Sequence, residues 1–479
     1  LNSFTLLQIT DSLPIAILSQ RMGKGGGRKE TGEAKGKRSI SQEAFDALVK
    51  ENMEELGMDP AEALQDAIET LSLQNVDLSG IVKIVPGEGS RDDDPVLQSI
   101  RELEAYTKQQ QTTPEVHNLF HQLSSSLSCT PSSASIAVKN RAIEVTWSAC
   151  LNLPFPSQQE VLASGLKLLS TLIYDLQGTE KFRLINGPGN LLHFLKNGSD
   201  CVTLLEGGFS LVASSAKGNE VTKEIFINSG IGDLILKSLD KQIIPVYDAI
   251  CVLLTADDNR VLASQVYGYA RAFAEIGIPK TLTTSLSSSS AEVLSSAMMA
   301  LKAAAVNDEI CKSIAEAGGV DAILRSVARG DAAMAKACCA LLCKLAGSDS
   351  NKAAIVERGG VRGLVEVARR MAGDPTVVAE VMAVMAAVCL RSPENAGRVM
   401  SDGAGELAVE AMEKFPAAAQ LQRSSCLMIR NLVARNGENR KILLENGVES
   451  LVRKAKDLHV SCREAANDAL RDLGLEYGK

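Results

Sequence analysis

The sequence predicts an all-α protein: a right-handed α-solenoid of stacked helical repeats, preceded by a small N-terminal helical segment. Three observations carry this reading. A glycine-centred phrase recurs, most clearly as Asn439-Arg-Lys-Ile-Leu-Leu-Glu-Asn-Gly447-Val-Glu-Ser-Leu-Val452, with copies at 307–324, 351–365 and 395–409 and weaker ones ending near Gly277, Gly230 and Gly187. The glycines at 187, 230, 277, 319, 360, 403 and 447 stand 41 to 47 residues apart, a period that belongs to arrays of two- or three-helix units. Aromatic residues make up only 4% of the chain, with a single Trp, and strand-like alternation is hard to find, which favours closely packed helices over a sandwich or barrel.

A chain of 479 residues is long enough for two or three ordinary domains. It also suits an array, which grows by adding units that each bury their apolar face on a neighbour. In chain order, residues 1–39 read as a disordered tail, Gly-, Lys- and Arg-rich from residue 22. Met22-Gly23 resembles a natural start, so residues 1–21 are expected to lie outside the native chain. Lys35-Gly36-Lys37-Arg38 reads either as a solvated basic tail or as a weak nuclear-import patch.

Residues 40–82 form an acidic helical module. Phe45, Leu48, Val49, Met53 and Leu56 share one helical face, and Gly57 is placed to end that helix. Asp59-Pro60-Ala61-Glu62 reads as an N-cap, an N1 proline and an N3 acid. Leu64, Ala67, Ile68 and Leu71 mark the next face, and Asp77 is expected to cap a third short helix through Val82. Residues 83–134 read as a linker with short helices at 98–111 and 114–128.

The array proper spans 135–479, about seven units with atypical capping ends. Its first helix is expected over Ile136–Leu151 around Trp147, and its last over Cys462–Leu473 with a polar outer face. The third helix of each unit, as in Val293–Ala305, Ala333–Ala346, Val377–Leu390 and Leu421–Ala434, is apolar nearly all round, as a helix sandwiched between neighbours must be. Residues 256–273 and 282–291 are expected to be surface insertions.

Net charge is -8 and uneven. Residues 1–39 carry about +4, residues 40–95 about -11 and the remainder about -1. A near-neutral array is a poor match for a phosphate backbone, so no nucleic-acid partner is expected. No run of 18 uncharged apolar residues occurs, so no membrane span is expected. Eleven Cys without a CxxC pair suit a reducing compartment.

Visible chemistry is sparse. His117 and His121 are four apart, close enough to share a metal on one helix face, but without matching Cys or acid partners they read as surface histidines, and no metal or cofactor is expected. Cys338, Cys339 and Cys343 read as core. No glycine-rich stretch carries a GK[ST] signature, and four His with no Ser or Cys motif leave a nucleophilic triad without parts. An enzymatic site would have to draw on Asp257, Asp258 and Arg260, so the chain is read as non-catalytic.

Leu421-Gln-Arg-Ser-Ser-Cys-Leu-Met-Ile-Arg-Asn431-Leu-Val433, with Glu438-Asn439-Arg440 and Asn446-Gly447-Val448, resembles the consensus of the armadillo repeat family. Ile40 to Asn52 and Val76-Asp-Leu-Ser79 resemble the N-terminal segment of the armadillo repeat-containing protein 6 family within it. The resemblance implies a cytosolic, non-enzymatic protein. In peptide-carrying armadillo proteins one Asn per third helix binds the peptide backbone, and a Trp four residues earlier makes a slot for Lys stems. Here the Asn position reads Leu253, Ala303, Lys344, Ala387 and Asn431, and the Trp position reads Ala249, Met299, Ala340, Ala383 and Leu427. A carrier of basic peptides is therefore disfavoured. Lys344, Arg430 and Asn431 remain as candidate groove contacts, with Lys344 suited to an acidic cargo; Asn431 reads equally as a helix Asn satisfying a neighbouring backbone group. The functional expectation is a protein–protein interaction scaffold in the cytosol, with the nucleus as a further compartment. The alternative is an extended-peptide-binding adaptor in nuclear transport or chaperoning.

Overall fold

The computed structural model describes residues 38–86, 94–109, 114–130, 132–257 and 263–475. Expectations placed on residues 1–37, and on Asp258 and Arg260, fall outside them. The chain divides into two compact units, 1–78 and 79–479.

In the first unit, Ser41 caps the helix Gln42–Glu54 by accepting from the Ala44 amide at 3.2 Å. The chain then reverses through Gly57 at φ +66°. Asp59 accepts from the Ala61 amide and Pro60 opens the helix Pro60–Leu73. The two helices bury Phe45 and Val49 with Ala63, Ala67 and Leu71. Asn52, 4% exposed, donates to Ala63 O and Asp66 Oδ2, so the one polar group in this seam is satisfied. The third helix expected after Asp77 does not form. Asn75 takes φ 58°, and Val76–Asp77 pairs in parallel with Arg38–Ser39. A β-branched residue at 76 and a glycine at 80 both disfavour helix there.

The second unit is an α-solenoid with one continuous apolar core from Val82 to Leu473. Helices Pro95–Gln109 and Pro114–Leu127 bury Val96, Ile100, Leu103, Val116, Phe120 and Leu123 in that core. They pack on the helices Ala142–Asn152 and Gln159–Leu172, so the two short helices expected at 98–111 and 114–128 form and belong to the core of the solenoid. Their apolar positions recur every three to four residues, but Ser- and Gln-rich surroundings mask the pattern. The helix expected over 136–151 is two helices, Ser133–Lys139 and Ala142–Asn152, divided at Arg141 with φ 66°.

Seven times the chain then runs as a short first helix, a left-handed residue and a second helix. The left-handed residues are Asn186, Gly230, Gly277, Gly318, Gly359, Gly403 and Gly447. In the two Gly-Gly copies the positive φ belongs to the first glycine, one residue before the position the repeat alignment marks. The second serves a different need: a Cβ on Gly360 would stand 2.6 Å from Ile355 O, and one on Gly319 2.7 Å from Ile314 O. Gly359→Ala meets nothing within 4 Å but must hold φ +71°, costing about 1–2 kcal/mol. Gly360→Ala must push a backbone carbonyl away and is expected to cost more, about 3 kcal/mol. Urea unfolding of the two variants checks that order.

The length expected as a surface insertion at 256–273 is largely the helix Ala263–Glu275, the first helix of its unit, with Ala270 and Phe273 buried. The polar stretch at 282–291 likewise begins inside the helix Ile278–Ser285, where Leu282, Thr283 and Ser285 are buried. Thr283 donates its hydroxyl to Pro279 O at 2.9 Å, and Ser285 Oγ accepts from the Tyr247 hydroxyl at 3.1 Å.

Candidate partner-binding groove

The third helices are Gln159–Leu172, Val202–Ala216, Ile244–Leu253, Ala291–Ala304, Ala332–Leu345, Pro375–Cys389 and Ala419–Val433, closed by Arg463–Asp472. Each packs on the next, so they form one layer, and the solvent-facing side chains of that layer line the groove of the solenoid.

Helix C-termini leave four carbonyls without intrahelical donors, and the repeats use those carbonyls as fastening points. Asn351, Asn395 and Asn439, all buried, donate to Leu345 O, Val388 O and Leu432 O at the end of the third helix before them. Asn351 and Asn439 also reach the preceding first helix at Cys311 O and Ala396 O. Lys352 donates forward to Leu390 O at 3.0 Å, and Lys223 to Thr255 O at 2.6 Å. The Asn that recurs in the sequence is therefore a fastener between units and is spent inside the protein.

These contacts fix which residues occupy equivalent groove positions. The residues just before the three acceptors are Lys344, Ala387 and Asn431. In the unit holding Ile244–Leu253 the sequence alignment slips by one: Ala249 and Leu253 are buried at 0% and 1%, and Asp248 and Val252 face outward instead. Asp248 is exposed, but the helices beside its carboxyl shield it partly from water and raise it above its ordinary value.

The three candidate residues have different surroundings. Lys344 is exposed in the groove. Beside it lies Cys343, whose thiol is pushed up to about 12, first by burial and then by Glu380, with Lys302 acting oppositely. Lys302, Lys344 and Glu380 thus come from three successive third helices. Arg430 bridges to the closing helix, with Nη1 3.0 Å from Asp468 and Nε 3.8 Å from Asp472. Asn431 donates its amide to Ala386 O of the preceding third helix at 2.8 Å. Both lie in the groove wall, but both side chains already join helices. Asp257 also has a structural task, accepting from the Gly218 amide and Lys223 Nζ.

At its N-terminal end the groove deepens into a cleft of about 840 Å³ lined by His117, Glu160, Ser164, Lys167, Glu206 and Ile244 among others. Sequence reasoning misses this cleft. Its polar groups are single residues on otherwise apolar helices, and the signal that could find them is their recurrence three or four positions apart, as at Glu160, Ser164 and Lys167. Its floor includes Gly207, where a Cβ would stand 2.6 Å from Ala163 O; glycine there lets two third helices approach closely. Among the described residues, no helix is long and apolar enough to cross a membrane.

Comparison with known proteins agrees with this architecture. Residues 37–112 match the armadillo repeat-containing protein 6 N-terminal domain. The chain is 28% identical to armadillo repeat-containing protein 6 of Pongo abelii, over 74% of this chain and 75% of that protein. It is 26% identical to the Homo sapiens protein over 74% and 75%, and 26% identical to the Drosophila melanogaster homolog over 76% and 80%. Among solved structures, an engineered protein superposes with a TM-score of 0.67 at 18% identity, covering 90% of this chain and 98% of its own. A chain from a study of the interaction between cadherin and beta-catenin superposes at 0.58 with 14% identity, covering 91% and 81%. The repeat geometry, the match at residues 37–112 and the three relatives together show an α-solenoid whose chain resembles armadillo repeat-containing protein 6.

Proposed function

We propose that the protein is a non-catalytic interaction scaffold whose third-helix groove holds an extended segment of a partner protein. The observation that carries this is the groove itself, a continuous layer of third helices whose outward positions, apart from Arg430 and Asn431, make none of the fastening contacts that consume the recurring Asn and Lys residues. Its outward side chains run from Glu160, Glu206 and Asp248, with Lys167 among them, at one end to Lys302, Lys336, Lys344 and Arg423 at the other, with Glu380 among the latter. The basic half favours an acidic segment over the Lys-rich cargo of peptide carriers, and no second Trp exists to make a slot for lysine stems.

A peptide rich in Glu and Asp is therefore expected to bind more tightly than one rich in Lys and Arg, and more weakly as salt rises. Lys344→Glu should weaken it by about fivefold, the scale of one partly screened charge pair; fluorescence anisotropy at two salt concentrations reads this. Equal binding of both peptides would count against the assignment. Eleven free cysteines, mostly buried, support a reducing, cytosolic setting, with the nucleus as a further compartment; cell fractionation tests this placement. The alternative of an adaptor in nuclear transport or chaperoning finds less support, since Asn431 already spends its amide on Ala386 O.

A further inference from the structure

His117 and His121 lie one turn apart on the helix Pro114–Leu127, which packs on the helix Gln159–Leu172. Their side chains converge. The two Nε2 atoms are 3.0 Å apart, and Ser164 Oγ stands 3.2 Å from the Nε2 of His117. The ring centroids are 4.6 Å apart with the planes tilted by 56°, so the nitrogens face each other and the rings do not stack. His117 is half-buried at the wall of the 840 Å³ cleft, and Glu160, one turn from Ser164, lines the same space.

The geometry points to a two-histidine binding site for a late divalent transition metal, Cu²⁺ or Ni²⁺, at the N-terminal end of the groove. Two imidazole nitrogens about 2.0–2.1 Å from a shared ion and 3.0 Å from each other subtend roughly 95° at the metal. That is the angle between neighbouring ligands of a tetragonal or octahedral ion, the arrangement Cu²⁺ and Ni²⁺ adopt with nitrogen and oxygen donors. A tetrahedral Zn²⁺ would want the two nitrogens about 3.3–3.4 Å apart. Each histidine would offer its Nε2 lone pair, with the protons on Nδ1. Ser164 Oγ and water supply the oxygen donors. Without an ion, the same contacts form if Nε2–H of His117 donates to His121 Nε2 and Ser164 Oγ while the Ser164 hydroxyl donates to Glu160 O, 3.2 Å away. That network holds the rings in the chelating pose and dissolves when a metal takes up the His117 Nε2 position and its proton passes through water to Nδ1.

The test titrates Cu²⁺ into the full chain and into His121→Gln, both carrying Cys129→Ser so that the exposed thiol neither binds nor reduces the ion. Binding is read by calorimetry and by electron paramagnetic resonance, where imidazole nitrogens split the copper signal. The expected result is one site showing two nitrogens, weakened about 100-fold by His121→Gln with loss of one nitrogen from the spectrum. His121 is exposed, so that variant should fold, and an unchanged thermal melt confirms it. Ni²⁺ should raise the melting temperature of the parent and leave that of the variant unchanged. A parent that binds no Cu²⁺ above background, or a variant that binds as tightly with the same two-nitrogen signal, overturns the site.

Discussion

Lys223→Met is expected to cost about 3–5 kcal/mol, the loss seen when one partner of a buried ion pair is removed. The Lys223 side chain is 1% exposed and its ammonium is 2.9 Å from Glu220 and 2.7 Å from Asp257. It also donates to Thr255 O, the free carbonyl at the end of the third helix that follows. Methionine fills the volume but leaves two carboxylates and a carbonyl facing each other without the ammonium; only the Gly218 amide on Asp257 and the Asp257 amide on Glu220 remain as donors. The triple change Lys223→Met, Glu220→Gln, Asp257→Asn should recover part of the loss, because it removes the uncompensated charge as well. Urea unfolding of the single and triple variants measures both values. A single variant as stable as the parent would mean that Lys223 does not fasten its helix to the end of the third helix.

Trp147→Ala is expected to cost about 3–5 kcal/mol, and the damage should be local. Trp147 is 2% exposed, with edge contacts to Phe182 at 5.1 Å and Phe194 at 6.2 Å. It therefore joins the first layer of the solenoid to the helices Leu176–Leu184 and Gly187–Asn197. In an array each unit touches only its neighbours. Hydrogen exchange should thus accelerate over residues 133–216 while residues 332–458 keep their protection. Uniform acceleration along the chain would show a cooperative block in place of nearest-neighbour coupling.

The repeat was legible because its signals are local: a glycine at a left-handed position, an apolar third helix and a fixed period. The caps around Asp59 and Gly57 were legible for the same reason. Three features were not. The helices at 95–127 bury their faces against partners far along the chain, and nothing inside a Ser- and Gln-rich stretch announces that. Gly359 and Gly360 have different tasks, one conformational and one steric, which only the Ile355 carbonyl separates. The recurring Asn351, Asn395 and Asn439 are spent on helix-end carbonyls, which no local pattern announces, and the slip at Leu253 falls where two adjacent leucines, Leu253 and Leu254, are both buried. Arg430 and Asn431 were found by residue type, but their bonds to Asp468 and Ala386 show in the structure alone.

The most direct measurement is photo-crosslinking in cells. A photoreactive residue would be placed at Met299, Ala340 or Ala383 in the groove, and at Lys441 or Arg362 on the first and second helices as controls. Met299 is 47% exposed, and the Lys441 and Arg362 side chains are 76% and 78% exposed, so each can reach a partner that lies over it. A groove-bound partner yields the same crosslinked protein from the three groove positions and none from the two controls. Adducts from Lys441 and Arg362 with none from the groove would contradict the assignment of the third-helix face as the working surface.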